Sequence, residues 1–350
     1  MKKFKKLLII SFISILMASC GGGGGGGGDD GGIGIAGGII DPASCVLPVG
    51  LIAITAANAE AVVSEVKGAI QTALAFANAN SDLIFLNNFM LPSNPVTLAC
   101  DTSGSFTTTL TGANPISMND QLALDFSSCQ DTGTTLNGVF TATYNTITEM
   151  IAGEAGNVSS ANDWDFNISS ISNDLQVEDS NIDVAADGVM VADIDFNAAG
   201  VNLVSTATNT NLTFADRGGE CTSIDLIFFV STAMNVTTNP ATYSLSINEP
   251  ANAGAFTIAS TELGGVVAIS TNTTPLIGME NLFDAGQGEV DEYFVELDDS
   301  SPPTSGSLFI QSGTSGATVT AMPGGVVQID VDIDLDGVID DTLMTTWAAL

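Results

Sequence analysis

The chain contains no histidine, and this absence excludes several kinds of active site. Histidine is the commonest general base near neutral pH and the usual partner of a catalytic serine or cysteine. It is also a frequent zinc ligand, so histidine-ligated zinc is excluded as well. The remaining chemistry is that of carboxylates, either paired as in glycoside hydrolases or holding a metal ion through oxygen. We therefore expect no catalysis, with a carboxylate-based glycoside hydrolase as the enzymatic alternative.

Basic residues are almost as scarce, with six Lys and Arg against 40 Asp and Glu in 350 residues. Four of the six lie at the N-terminus, which leaves Lys67 and Arg217 for the rest of the chain. A surface this acidic lacks the cationic groups that bind phosphate, so nucleic acid is excluded as a partner. Its natural small partners are cations.

Aromatic residues are few, with two Trp, three Tyr and 17 Phe. Carbohydrate clefts usually present Trp or Tyr rings to the sugar, so this scarcity counts against the glycoside hydrolase alternative. That alternative requires two cleft carboxylates about 5 to 10 Å apart, with an aromatic ring beside them.

The first twenty residues have the pattern of an export signal. Four lysines are followed by an apolar run at 7–17, and the small residues Ala18 and Ser19 then precede Cys20. The apolar run is too short to remain as a membrane-spanning helix. Eight glycines, 21–28, follow the cysteine, and glycine loses more backbone entropy on ordering than any other residue. Residues 20–32 are therefore predicted to be a flexible tether.

This segment resembles the signal of bacterial lipoproteins, in which cleavage occurs just before a cysteine that carries a diacylglycerol. The resemblance implies a signal peptide at 1–19, lipidation of Cys20 with palmitate, and attachment to a membrane through that lipid. Met17 stands where the family usually has Leu. Gly21, and not Asp, follows the cysteine, which by resemblance to Gram-negative lipoproteins implies the outer membrane, on its periplasmic or its cell-surface face.

Without Cys20, four cysteines remain, and an even number in an exported chain predicts two disulfides with three alternative connectivities. The strand-like runs 106–110 and 121–126 lie between Cys100 and Cys129. If these runs pair as a hairpin, both cysteines lie at its open end. We therefore favour Cys100–Cys129, which leaves Cys45–Cys221 by elimination.

The remaining pattern predicts a mainly β fold with one N-terminal amphipathic helix. At 58–80, Val62, Val66, Ile70 and Leu74 recur every four residues, with Asn58 as a candidate cap. From residue 96 onward the period is two, with turn residues every eight to twelve positions. Predicted strands include 106–110, 122–126, 136–147, 164–171, 189–196, 201–207, 224–230, 290–297, 326–333 and 338–346, and the hairpin turns include Asp187-Gly188 and Asp336-Gly337.

These strands predict a large antiparallel sheet within one domain, 33–350. The sheet is a barrel, a half-barrel or a sandwich, with the helix plugging it or covering one face. An apolar stripe on the helix is explained by packing on the sheet, because a membrane-lying helix would carry more basic residues than Lys67 alone.

Short motifs at 120–138 and at 336–347 resemble those of uncharacterised proteobacterial outer-membrane lipoproteins. The resemblance rests on Asp120, Phe126-Ser-Ser-Cys129, Leu136-Asn-Gly138, Asp336-Gly337 and Thr346-Trp347. The chain departs from that family at Asn119, where Gly is usual, and at Ala349, where an acidic residue is common. The resemblance implies a β-rich exported domain and supports the Cys100–Cys129 pairing, but it implies no activity.

One segment has the composition of a metal-binding loop. Asp332, Asp334, Asp336 and Asp340 stand around Gly337, and alternating aspartates before a glycine begin many calcium loops. Position twelve from Asp332 is Leu343, and not the bidentate Glu of an EF-hand. The alternative is a plain hairpin, with Asp330, Asp332, Asp334 and Asp336 facing water and Val331, Ile333 and Leu335 facing inward. Calcium is thus the one candidate cofactor.

Together these features predict a lipid-anchored exported β-domain with a structural or binding role. The alternative binding role is periplasmic carriage of an apolar ligand inside a half-barrel cavity. A protein partner fits the first interpretation, and an open apolar cavity would favour the second.

Overall fold

The structure used here is a computed structural model of the chain. It describes residues 41–81, 93–100, 102–112, 117–131, 134–148, 164–178, 183–197, 202–216, 219–235, 238–248, 257–284, 289–290, 294–297 and 299–350. The predicted signal peptide, Cys20, the glycine tether and Arg217 lie outside the described residues.

The described residues form one long helix and eighteen strands. The helix, α1, spans Ala59–Ser81. The strands are β1 Val96–Ala99, β2 Ser103–Thr111, β3 Gln121–Asp131, β4 Thr134–Thr148, β5 Trp164–Glu178, β6 Asp183–Asn197, β7 Asn202–Asp216, β8 Cys221–Asn235, β9 Thr238–Ile247, β10 Thr257–Ser260, β11 Gly265–Thr271, β12 Leu276–Glu280, β13 Phe283–Asp284, β14 Glu289–Val290, β15 Ser307–Ser312, β16 Ser315–Met322, β17 Val326–Asp332 and β18 Asp341–Thr346. The expected mainly β fold with one N-terminal helix is confirmed.

Sixteen of these strands form a single antiparallel sheet. Strands β1 to β8 follow one another in chain order, and the path continues through β10, β11 and β15 to β18. β8 is long enough to pair with β10 along its first half and with β9 along its second half. The path begins at β1 and ends at β18 without a pairing between them, so the described strands form an open sheet, and no closed barrel.

The helix α1 lies against one face of this sheet. It contacts β5 to β8 and also β17, so the sheet curls around it. The predicted stripe of Val62, Val66, Ile70 and Leu74 is buried, and each such side chain contributes about 1.5–3 kcal/mol of burial free energy. Asn58 precedes the helix, but its side-chain amide bonds upstream, accepting from Thr55 N and donating to Ala53 O. It therefore closes the preceding turn, and its predicted capping role is wrong.

The central strands are much longer than the predicted runs. β5 to β8 contain 15 residues each, whereas the sequence predicts about eight. In β7 the buried positions are 203, 205 and 207 before a bulge, and 210, 212 and 214 after it. A bulge inserts an extra residue and so shifts the phase of the period-two pattern. β5 and β7 therefore each look like one short strand followed by irregular sequence.

The bulges of β3, β5 and β7 lie on one line across β2 to β7, which we call the crease. Ser128 of β3 lies beside Gly104, Asp174 of β5 beside Gly138, and Asn211 of β7 beside Gly188. Ser128 N donates to Asn137 Oδ1, next to Gly138, and Asp174 N donates to Asp187, next to Gly188. Gly138 has a φ of +92°, and an added Cβ would lie 1.9 Å from Asp174 O. Each bulged strand therefore meets a glycine of the strand before it.

Two further sequence predictions of local structure differ from the structure. Asp187-Gly188 is not a hairpin turn but lies inside β6, where it belongs to the crease. Of the predicted strand 290–297, Val290 ends β14, whereas the described residues 294–297 are not in a strand. There Asn78 of α1 donates to Phe294 O (2.8 Å) and accepts from Phe294 N (2.7 Å), so a helix side chain replaces the strand partner.

Candidate metal centre and acidic groove

The four predicted cysteines form the two favoured disulfides. β2 and β3 pair as a hairpin with Phe106 opposite Phe126, and Cys100 and Cys129 join at its open end with a Cα–Cα distance of 5.4 Å. Cys45 joins Cys221, the first residue of β8, with a Cα–Cα distance of 5.9 Å. This second bond attaches the segment before α1 to the middle of the sheet.

The aspartate-rich segment is the loop between β17 and β18. The two strands pair as far as Val331 opposite Asp341, and residues 332–340 form the connection. Asp336-Gly337 lies at its tip, where Gly337 has a φ of +87°. The plain-hairpin alternative fails beyond Val331, because Asp332 is buried while Ile333 is 48 % exposed. The expected alternation of wet aspartates and inward apolar residues is therefore reversed at these two positions.

Backbone amides of the loop hold its carboxylates in place. Gly337 N donates to Asp332 Oδ2 (3.0 Å), and Ile333 N donates to Asp340 Oδ2 (2.8 Å). Asp336 N makes a longer contact, 3.3 Å, with Asp334 Oδ1. Each of the three carboxylates thus keeps one oxygen outside these hydrogen bonds.

Three of the four predicted metal ligands are brought together. Asp332, Asp334 and Asp340 each place one carboxylate oxygen within 4.8 Å of the others, and we call these residues the aspartate triad. Asp336 lies outside the triad, with its Oδ1 accepting from Val338 N at 2.8 Å. Within the triad, Asp332 is only 9 % exposed, and its Oδ1 atom is buried without a hydrogen-bond partner. The chemistry of the donor set is that of a hard cation site, because every donor is oxygen.

A second acidic region was not predicted from the sequence. A groove of about 760 Å³ runs along α1, and five of its lining residues are acidic. These acidic residues, which we call the acidic groove, are Glu60, Glu65, Asp216, Glu220 and Glu262. They come from α1, from β7 and from the turns that follow β7 and β10. No spacing rule connects positions so far apart, so only the fold reveals the groove.

Threonine hydroxyls orient the carboxylates of the acidic groove. Thr261 Oγ1 donates to Glu220 Oε2 at 2.6 Å, and Thr222 Oγ1 donates to Glu65 Oε1 at 3.2 Å. The charge of Glu65 raises the pKa of Glu262, with partial burial and a hydrogen bond to Glu65 as further causes. Glu220 and Asp216 add smaller repulsions to the same pKa. The groove therefore suits cations better than anions.

The geometry of the groove gives little support to a glycoside hydrolase. Phe214 is the one aromatic residue among the described lining residues, and its ring packs on Phe76 at 5.2 Å. None of the described residues that line the groove is Trp or Tyr, so the groove offers no such ring to stack on a sugar.

A third acidic set lies on neighbouring strands. Asp165 of β5 stands opposite Asp195 of β6, with Asp193 two residues away. Partial burial, followed by the charge of Asp193, raises the pKa of Asp165. Partial burial also raises the pKa of Asp195, followed by the charges of Asp165 and Asp193. Asp163, which precedes β5 in the sequence, lies outside the described residues. These side chains crowd one another without forming a compact ligand set.

Lys67 is the one basic side chain in the described part of the chain, and it is buried. Its Nζ donates to Asp299 Oδ1 at 2.6 Å and to Trp347 O at 2.7 Å. The same nitrogen lies 5.4 Å from the centroid of the Trp347 ring. A lysine on an amphipathic helix usually faces water, but this one is buried, and its cation ties α1 to the last turn of the chain.

Among the described residues, no helix is both long enough and apolar enough to cross a membrane. We also compared the chain with known proteins. No protein-family model, no curated protein and no solved structure matches it.

Proposed function

We propose that this protein is a lipid-anchored, non-catalytic β-domain of the outer membrane, exported and held there through Cys20. In this proposal the folded domain has a structural or binding role, and the glycine tether keeps it clear of the membrane surface. The resemblance of the first twenty residues to lipoprotein signals, and of the later motifs to uncharacterised outer-membrane lipoproteins, belongs to the same proposal.

The observation that carries the proposal is the pair of disulfides. All four cysteines that remain after Cys20 are joined in bonds, one of them across 176 residues of sequence. Disulfides form and persist in oxidising compartments and are rare where thiols are kept reduced. An exported chain with one additional cysteine at the end of a signal-like segment is what lipid attachment requires.

The charge distribution supports a role without catalysis. The described part of the chain offers one basic side chain, Lys67, and that group is already bound to Asp299 and Trp347. No cation is thus available there to bind a phosphate or stabilise an oxyanion. The acidic groove further disfavours anionic partners such as nucleic acid.

The packing favours this role over carriage of an apolar ligand. Carriage needs an apolar chamber inside the curled sheet, and α1 occupies the described part of that concave face with Val62, Val66, Ile70 and Leu74. The groove that remains beside the helix is lined by carboxylates. An apolar ligand would gain little by entering it.

The test is metabolic labelling of the full chain with radioactive palmitate in a Gram-negative host, followed by separation of the two membranes. We expect label on the wild-type protein, and the protein itself in the outer-membrane fraction. Cys20→Ala should carry no label and should leave that fraction. Ser19→Ala, a small-for-small change next to it, is the matched control and should be labelled like the wild type. An unlabelled wild-type protein, or a labelled Cys20→Ala variant, contradicts the proposal.

A further inference from the structure

We propose that the aspartate triad is a calcium site that closes the β17–β18 loop. Its ligands would be the carboxylates of Asp332, Asp334 and Asp340. This inference does not rest on the lipid anchor, because it concerns only the folded domain.

One carboxylate oxygen of Asp332 has no hydrogen-bond partner. Oδ2 of this carboxylate accepts from Gly337 N, but Oδ1 is buried with no donor within reach. A buried acceptor without a partner is costly, and the cost is larger for a charged group than for a neutral one. A cation bound at the triad would supply the missing partner.

Three negatively charged carboxylates converge at the aspartate triad. Oxygens of Asp332, Asp334 and Asp340 lie within 4.8 Å of one another, and Asp330, Asp336 and Asp341 add to the negative charge of the same segment. Lys67, the one basic side chain described, is engaged with Asp299 and Trp347. No basic side chain in the described part of the chain is left to neutralise the triad, so the neutralising charge must come from an ion in solution.

The oxygen ligands of the triad and their exposure to water favour calcium over other metal ions. Calcium takes six to eight oxygen ligands in flexible geometry, and a loop of carboxylates open to water can complete such a shell. Asp334 and Asp340 are exposed, so water can fill the remaining positions. Magnesium requires near-ideal octahedral geometry and releases its water reluctantly. Zinc and other softer metals prefer the nitrogen and sulfur ligands that the triad lacks.

The position of the site defines what calcium would do. Asp332 ends β17, and Asp340 N donates to Val331 O where β17 and β18 begin to pair. An ion shared by Asp332 and Asp340 joins both ends of the loop, so it would tighten the closure of the last hairpin. Because β18 is the edge of the sheet, this closure would protect the edge from fraying.

The experiment is calorimetric titration of the purified full chain, freed of metal with a chelator, with calcium chloride in 150 mM salt. We expect one site with a Kd of about 0.1 to 1 mM, the range of extracellular calcium modules. Calcium at a hundredfold excess over Kd should raise Tm by about 4 °C or more. Magnesium at equal concentration should raise it far less, whereas an equal response to both ions would overturn the proposal as mere charge screening.

Variants separate the site from general electrostatics. Asp332→Asn and Asp340→Asn should each weaken calcium binding at least about tenfold. Asp340 is exposed, and asparagine there keeps an oxygen that can accept from Ile333 N, so this variant should still fold. Asp341→Asn removes the same charge from the same hairpin but lies outside the triad, and should change Kd less than about threefold. Absence of binding by the wild type, or unchanged binding by both triad variants, overturns the proposal.

Discussion

At the scale of single residues, Lys67 shows how composition and position combine. A buried ammonium group is costly unless it is paired and hydrogen-bonded. Here the side chain is 4 % exposed and is satisfied by Asp299, by Trp347 O and by the Trp347 ring. The long aliphatic stem lets the residue lie in an apolar stripe while the nitrogen reaches its partners. One cation therefore holds the helix, residue 299 and the last turn together.

Replacement of Lys67 tests this role. Lys67→Met keeps the stem but leaves Trp347 O without its donor, so we expect a loss of about 1–3 kcal/mol in the free energy of unfolding. Asp299→Asn should also lower it, because the amide keeps an acceptor oxygen but leaves the buried ammonium group of Lys67 without its counter-charge. Urea unfolding of the two variants and the wild type gives the comparison. Equal stability of Lys67→Met and wild type would show that the contact contributes nothing.

At the residue level, the clustering of acidic side chains could be predicted where these residues are close in sequence. Asp332, Asp334 and Asp340 lie within nine positions, so a loop motif was enough to identify them. Asp336 was also predicted but lies outside the triad, because its carboxylate accepts from Val338 N. The acidic groove could not be predicted, since Glu65, Glu220 and Glu262 are brought together only by the curl of the sheet.

At the scale of elements, the two disulfides constrain very different loops. Cys100–Cys129 closes a hairpin that β2 and β3 already define, with a sequence separation of 29. Cys45–Cys221 has a separation of 176 and connects elements that share little other pairing. In the chain-entropy account, the longer loop restricts the unfolded chain more.

Paired serine substitutions test this difference. We expect Cys45→Ser with Cys221→Ser to lower the free energy of unfolding by about 5 kcal/mol, and Cys100→Ser with Cys129→Ser by about 3.6 kcal/mol. Guanidinium unfolding of both double variants, each with its other disulfide intact, measures the two values. The reverse order would mean that native contacts outweigh loop entropy at these sites.

Elements were predicted well in kind and poorly in extent. The period-two pattern identified the sheet, and the period-four pattern identified α1 to within one residue at each end. β5 and β7 were predicted too short because their buried positions change phase, as in β5, where 166, 168, 170 and 172 are followed by 175 and 177. A local pattern cannot show that two runs of opposite phase belong to one strand.

At the scale of the whole molecule, stability depends on how the excess of carboxylates is distributed. The pKa of Glu262 is raised, chiefly by the charge of Glu65 and then by burial, so the folded state holds its proton more strongly than the unfolded state. Stability contributed by this proton is present at low pH and is lost as pH rises through the raised pKa. At neutral pH, the repulsion between the ionised carboxylates of Glu65 and Glu262 therefore lowers the free energy of unfolding.

Glu262→Gln should accordingly stabilise the protein at pH 7.5. The gain should be less than about 1 kcal/mol, since the group is partly exposed and screened by solvent, and it should shrink at pH 4 and in high salt. Urea unfolding at both pH values measures it, with Asp125→Asn at an exposed position of β3 as the control. A gain that is equal at both pH values would contradict the assignment to Glu65.

The crease has a consequence for how this sequence can change over time. In β3, β5 and β7 the buried positions on either side of the crease follow opposite numerical parity, whereas β4 and β6 keep one parity through it. A one-residue deletion far from the crease inverts inside and outside for every position as far as the next turn. A deletion at the bulge of β3, β5 or β7 removes the bulge itself and makes the parity of that strand uniform. Lineages of this fold should therefore tolerate length changes in the loops at the sheet margins, while the crease keeps its residue count.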